Sequence, residues 1–115
     1  MQYLVIGHDA KDENARERRK MARPKHIELG NKLMKNGNFW FGAALTNENG
    51  EAIGSALIMN FETYTDLQKW LSIEPYILEK VWENYEIRIC SVRDPWLFSQ
   101  SKEYYDKTGG INEIR

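Results

Sequence analysis

The sequence predicts an α+β domain whose elements run strand, helix, strand, strand, helix, strand, and three observations carry this. Tyr3 to Ile6 is a short apolar run with β-branched residues that ends in the turn-prone Gly7-His8-Asp9. Phe39 to Thr46 and Ile53 to Phe61 are strand-length apolar segments on either side of Asn47-Glu48-Asn49-Gly50, residues that tolerate positive φ in a hairpin turn. Between and after these runs the apolar residues recur at helical spacing. With right-handed crossovers this order most simply closes into a ferredoxin-like βαββαβ fold, a four-stranded antiparallel sheet with both helices on one face.

The first strand reads as an interior one. Asp12 to Met21 is dense in charge and helix formers, and Arg23-Pro24 marks a break, because the residue before proline avoids helical backbone. The main helix is then expected from about Pro24 to Asn36, with Ala22, His26, Leu29 and Leu33 as its apolar stripe and Asn36-Gly37 as its stop. The two hairpin strands should pair antiparallel. Thr63 with Asp66 resembles a helix start, Leu67, Trp70 and Leu71 share a face, and Pro75 ends that helix and opens another carrying Ile77, Leu78, Val81 and Trp82. Tyr85 to Val92 alternates as the last strand. The domain is placed at residues 1–92, with 93–115 as an aromatic extension. There Asp94-Pro95 favours a turn, Trp96-Leu97-Phe98 is apolar, and Ser101 to Lys107 fits a short helix with Tyr104 and Tyr105. Such a tail is expected to pack on the domain or on a partner subunit.

A chain of 115 residues, 42% apolar and 29% charged, has the profile of one folded domain with its own core. No run approaches the roughly 20 apolar residues of a membrane span, and MQYLVIGHDA lacks the features of a secretory signal. Cys90 is the only cysteine, which excludes an intramolecular disulfide and any multi-cysteine metal site, so a cytoplasmic location is expected. The net charge of −1 gives no general attraction to nucleic acid or anionic lipid. Basic residues do crowd Lys11 to Lys35, but without interleaved aromatics or a nucleic-acid motif, and they read as a solvated helical face. Neither nucleic acid nor membrane is expected as a partner.

The hairpin strands are apolar on both faces. Phe39, Phe41, Ala43 and Leu45 alternate with Trp40, Gly42 and Ala44, while Ile53, Leu57 and Phe61 alternate with Gly54, Ala56 and Ile58. A helix-free sheet face of that composition would be a large exposed apolar patch, which predicts a homodimer that covers it.

The same topology gathers polar residues at one edge of the sheet. Asp9 follows the first strand, His26 lies in the first turn of the main helix, Ser55 is near the start of the third strand, and Glu74 closes the second helix. His26 shares the apolar stripe. It is either a core histidine satisfied by a backbone carbonyl or, with Asp9 or Glu74 fixing its tautomer, half of a general acid/base pair. Arg23 can anchor an anionic substrate or pair with Glu28 or Asp9. Tyr76 can hydrogen-bond a ligand or sit at the core edge. His8, adjacent to Asp9 on a strand, makes a poor metal pair with it and reads as a loop histidine. No Walker loop, dinucleotide fingerprint or nucleophile elbow is present, and no cofactor or metal is expected.

The ordered set Asp9, Arg19, Arg23-Pro24-Lys25-His26, Gly54-Ser55, Trp70 and Glu74-Pro75-Tyr76 resembles the YciI-like (YCII-related) family over residues 1 to about 92. That family has an early Asp, an Arg-Pro-x-His motif and a late Asp-Pro-Tyr/Phe in the same order. The resemblance implies a ferredoxin-like dimer of the dimeric α/β-barrel type with a histidine/aspartate-centred site; a few relatives perform dehydrochlorination or related lyase chemistry on aromatic compounds. Glu74 stands here where the family has aspartate, one methylene longer. The expectation is a small cofactor-independent enzyme in which His26, Glu74 and Asp9 are catalytic and Arg23, Ser55 and Tyr76 bind a small-molecule substrate. The alternative is a noncatalytic ligand-binding or assembly module using the same cleft.

Overall fold

A computed structural model of the chain describes residues 1–97 and 101–109. Strand β1 (Gln2–Asp9) leads to helix α1 (Ala15–Lys35), then to the hairpin of β2 (Phe39–Thr46) and β3 (Ala52–Asn60). Helix α2 (Tyr64–Leu71), the single turn α3 (Pro75–Leu78) and β4 (Trp82–Cys90) follow. A 3-10 turn at Pro95–Leu97 and helix α4 (Lys102–Thr108) lie in the extension. The sheet order is β2-β3-β1-β4 with every neighbouring pair antiparallel, so β1 is interior and the fold is the expected ferredoxin-like βαββαβ arrangement.

The helices cover one sheet face. Tyr3 and Val5 of β1, Leu57 and Met59 of β3, Ala22, Leu67, Trp70 and Tyr76 of the helices, and Val81 and Trp82 at the entry to β4 belong to one buried core. Where two sheet backbones lie this close, side chains must give way. Trp82 lays its indole over Gly7, where a Cβ would fall 2.2 Å from the ring, and Gly54 faces the Gly7 carbonyl, where a Cβ would fall 2.5 Å from the oxygen. These two glycines let Ser55 and Trp82 meet beneath α1.

Three boundaries differ from the sequence expectation. Helix α1 does not break at Arg23-Pro24 but runs through Pro24. Pro24 cannot bond to the Lys20 carbonyl, yet both residues are exposed, so water can satisfy that carbonyl while the opposite face stays anchored by buried Ala22. His26 is therefore in the middle of a long helix and not in its first turn. Helix α3 stops at Leu78, which is exposed; the chain reverses at Lys80 with φ of 58°, and Trp82 is the first residue of β4. In β2 the register slips between Phe39 and Phe41, so Phe39 joins Gly42 and Ala44 on the helix side while Phe41, Ala43 and Leu45 take the other face. Trp40 sits at this bulge and donates its indole N–H to the Gly37 carbonyl at 2.9 Å.

The helix-free face carries Leu4, Ile6, Ala56 and Ile58, all half-buried, beside Phe41, which is 50% exposed. Its β4 side is polar, with His8 and Arg88 flanking Glu86. His8 lies in β1, not in a loop, and bonds Glu86 at 2.9 Å. In the extension α4 forms as expected, while Trp96 and Leu97 are 69% and 72% exposed in the single chain. Phe98 lies outside the described residues.

The loop before α1 is held by Asp12, which accepts from both terminal nitrogens of Arg18 at 2.8 and 2.6 Å and from the Asn14 backbone N–H. The Arg18 guanidinium holds the Asp12 carboxyl at about 2, below its ordinary 3.8. A folded value below the unfolded one means that the pair stabilises the fold above about pH 4 and loses that effect as pH falls toward 2. A side-chain NMR titration should find the Asp12 midpoint near 2, rising toward 3.8 in Arg18→Gln; an ordinary midpoint in the parent would contradict the pairing.

Candidate active site

Helix α1 brings Arg19, Arg23 and His26 to one face, since residues three, four and seven apart share a side of an α-helix. That face looks onto β3 and α3. At the start of α3, Pro75 occupies the first turn and Glu74 caps it, accepting the Tyr76 backbone N–H at 3.2 Å. The other Glu74 oxygen accepts the Trp70 indole N–H at 3.2 Å. The oxygen that caps the helix also bonds Nδ1 of His26. Glu74 is only 2% exposed, and three N–H groups converge on it. Backbone amide and indole are donors only, so Glu74 is the acceptor and Nδ1 carries the proton to it. Nε2 of His26 makes no hydrogen bond among the described residues, and in the neutral form of the ring it holds the lone pair. The tautomer is thus set by the buried carboxylate.

The His26 ring is stacked on Tyr76, with centroids 3.9 Å apart and planes 7° apart. Arg19 places its guanidinium carbon 4.9 Å from the centre of the Tyr76 ring. Arg19 and His26 are two helical turns apart, about 10.5 Å of rise, which is room for one aromatic ring between them. Burial pushes the Tyr76 hydroxyl above its ordinary range, so it stays neutral.

Asp9 is not hydrogen-bonded to His26. Both of its oxygens accept from one terminal nitrogen of Arg19, at 2.8 and 2.7 Å. The other terminal nitrogen of Arg19 donates to the Gly54 carbonyl and to Ser55 Oγ, each at 3.3 Å. Trp82 donates its indole N–H to the same Ser55 Oγ at 3.3 Å. Arg23 pairs with neither Glu28 nor Asp9: Glu28 meets Lys32, and Arg23 has no ion-pair partner among the described residues.

These groups border one cavity of about 490 Å³ between α1 and the β2–β3 side of the sheet. Arg19, Arg23, His26, Ser55, Glu74 and Tyr76 line its polar end, and Phe39, Gly42, Leu57 and Met59 are among the apolar residues of the other. The volume is that of a small-molecule site. Five of the six residues singled out from sequence, all but Asp9, line this cavity. Sequence reasoning had assigned no role to Arg19, nor a hydrogen bond to Trp70 or Trp82. Arg19 was findable from its seven-residue spacing to His26; the Trp82–Ser55 contact depends on Gly7 and has no local signal. Of the nine basic residues between Lys11 and Lys35, Arg16, Arg18, Arg19, Lys25 and Lys32 are ion-paired, in keeping with a solvated face and not a free basic patch. No helix among the described residues is long and apolar enough to cross a membrane.

A four-stranded antiparallel sheet, helices on one face and a histidine–carboxylate pair at a cavity define a small α+β domain of ferredoxin-like type. The chain belongs to the YCII-related domain family, whose model matches residues 1–95. No curated protein matches it. Among solved structures it is similar to 5-chloro-2-hydroxyhydroquinone dehydrochlorinase (TftG) from Burkholderia phenoliruptrix, in complex with 2,5-dihydroxybenzoquinone. The identity is 14%, the TM-score 0.66, and the match covers 79% of this chain and 94% of that one. A weaker likeness, TM-score 0.45 at 10% identity, is to a NIPSNAP domain protein from Burkholderia xenovorans, covering 83% of this chain and 99% of that one. At these identities the likeness is one of fold.

Proposed function

We propose that this protein is a small cofactor-independent enzyme in which His26 moves a proton to or from a small aromatic substrate, in lyase-like or related chemistry. The observation that carries the reading is His26 itself: Nδ1 bonded to a buried carboxylate, Nε2 without a hydrogen-bond partner among the described residues, and the ring at the wall of a ligand-sized cavity. In this reading Nε2 takes a proton from the substrate, and the imidazolium so formed is stabilised by Glu74. In an elimination the leaving group departs with its bonding pair as the proton is taken, so no oxidant or reductant enters. Tyr76 keeps the imidazole plane fixed by stacking and, with Arg23 and Ser55, contacts the substrate. Asp9 acts one step back, as the residue that positions Arg19.

The dehydrochlorinase of similar fold supplies a probe in its 2,5-dihydroxybenzoquinone. Exchange of the ring C–H of this compound in heavy water, followed by proton NMR, reads proton transfer at carbon directly. The protein should accelerate the exchange, and His26→Asn should slow it by about a hundredfold to ten-thousandfold while keeping the fold. Equal rates in the two proteins would overturn the assignment and favour a noncatalytic binding module.

The helix-free face, with Phe41 half-exposed at its β2 edge, is in this reading the homodimer interface, and a partner subunit is also what covers the exposed Trp96 and Leu97. Light scattering at micromolar concentration should give twice the chain mass, reverting to a single mass in Phe41→Glu. A parent that stays monomeric would contradict it.

A further inference from the structure

We propose that the polar end of the cavity is a receptor for an anionic oxygen carried on a planar apolar body, such as a phenolate or enolate, with the Ser55 hydroxyl as its central donor. The proposal rests on the reading of this cavity as a small-molecule site and adds the charge state of what it binds.

A serine hydroxyl has two acceptor lone pairs and one proton. Its oxygen here receives the guanidinium N–H of Arg19 and the indole N–H of Trp82, both groups that can only donate. The two lone pairs are therefore occupied from the protein side, and the remaining valence of the oxygen is its O–H. That proton meets no acceptor among the described residues, although Ser55 is only 3% exposed and lines the cavity. A buried donor left unpaired is costly, and an acceptor entering the cavity removes the cost.

The groups left open around that donor are donors, which favours an anion. Both carboxylates near the cavity are fully engaged within the protein, Asp9 by Arg19 and Glu74 by His26, Trp70 and the Tyr76 amide. The cationic side is not. Arg23, one helical turn from both Arg19 and His26, borders the cavity with no ion-pair partner among the described residues. Asp9 clamps Arg19 so that its second terminal nitrogen points at Ser55, which polarises the hydroxyl further. Phe39, Leu57 and Met59 at the other end exclude a strongly hydrated ion and suit a flat apolar body.

The test uses 4-nitrophenol, whose phenol and phenolate forms are told apart by absorbance. Bound to the protein, its ionisation midpoint should fall by about one pH unit, the equivalent of about tenfold tighter binding of the phenolate. Ser55→Ala should weaken phenolate binding about tenfold or more and leave the phenol form nearly unaffected, the effect expected of a hydrogen bond to a charged acceptor. If Ser55→Ala loses its folded circular-dichroism signal, Ser55→Cys, similar in volume with a weaker donor, carries the same comparison. An unchanged or raised midpoint in the parent protein overturns the inference, as does a variant that keeps the full preference for phenolate. Failure of both forms to bind at millimolar concentration overturns the cavity reading along with it. A lowered midpoint in a protein that does not accelerate carbon exchange sustains the inference while defeating the proposed catalysis, so the two failures are distinct.

Discussion

Glu74→Ala is expected to destabilise the fold by about 3–5 kcal/mol, because it strands three buried N–H groups at once, each costing about 1–3 kcal/mol when left unpaired. The Trp70 indole, the Tyr76 amide and His26 Nδ1 all end on this one side chain, which is 2% exposed. Glu74 therefore holds α2, α3 and α1 together as well as setting the histidine tautomer. Urea and thermal unfolding with the parent as reference measure the loss. Glu74→Gln should lose less, since an amide oxygen still accepts one N–H, and should still weaken His26 as a base. A cost near zero for Glu74→Ala would mean that the convergence on this carboxylate does not stabilise the fold. Glu74→Asp, which restores the residue usual in the family, is the sharper variant. In this chain the longer side chain already reaches His26, so shortening it should loosen that contact unless α3 shifts to follow.

Gly7→Ala is expected to cost about 3 kcal/mol, at the upper end for overpacking. A Cβ at residue 7 would fall 2.2 Å from the Trp82 ring, and the rigid indole cannot step aside without giving up its bond to Ser55. The loss should appear in unfolding experiments and also in the cavity, as weaker phenolate binding, because Trp82 is one of the two donors that orient the Ser55 hydroxyl. Gly7→Ala combined with Trp82→Phe removes the bulk of the indole from above residue 7. It should recover part of the stability and none of the phenolate preference. Full stability in Gly7→Ala alone would contradict the close packing of Trp82 on β1.

The strand order and the hairpin were legible from residues alone because they depend on local signals: the Asn47 to Gly50 turn, the β-branched first strand and the bipartite helix around Pro75. Pro24 misled for an instructive reason. Its penalty falls on an exposed side of the helix, and a sequence does not say which side of a helix is wet. The slip between Phe39 and Phe41 was likewise invisible, since a bulge exchanges the faces of a strand without changing its composition. In the site, convergence of Asp9, His26, Ser55 and Glu74 on one sheet edge followed from topology. The choice of partner for His26 did not. Asp9 ends β1 opposite the first turns of α1 and meets Arg19, while the turn before α3 brings Glu74 to the middle of that helix. Distinguishing these needs the length of α1 N-terminal to Pro24, which the expected break had removed.

The two ring nitrogens of His26 have different partners, one Glu74 and the other the cavity, and NMR of the labelled imidazole reads their states directly. In the neutral form Nδ1 should carry the proton and keep it in a strong, slowly exchanging hydrogen bond to Glu74. The Nε2 resonance should be that of an unprotonated nitrogen and should move when 2,5-dihydroxybenzoquinone is added. Protonation at Nε2 instead, or an Nε2 signal that ignores a bound ligand, would contradict His26 as the proton-transfer group of this cavity.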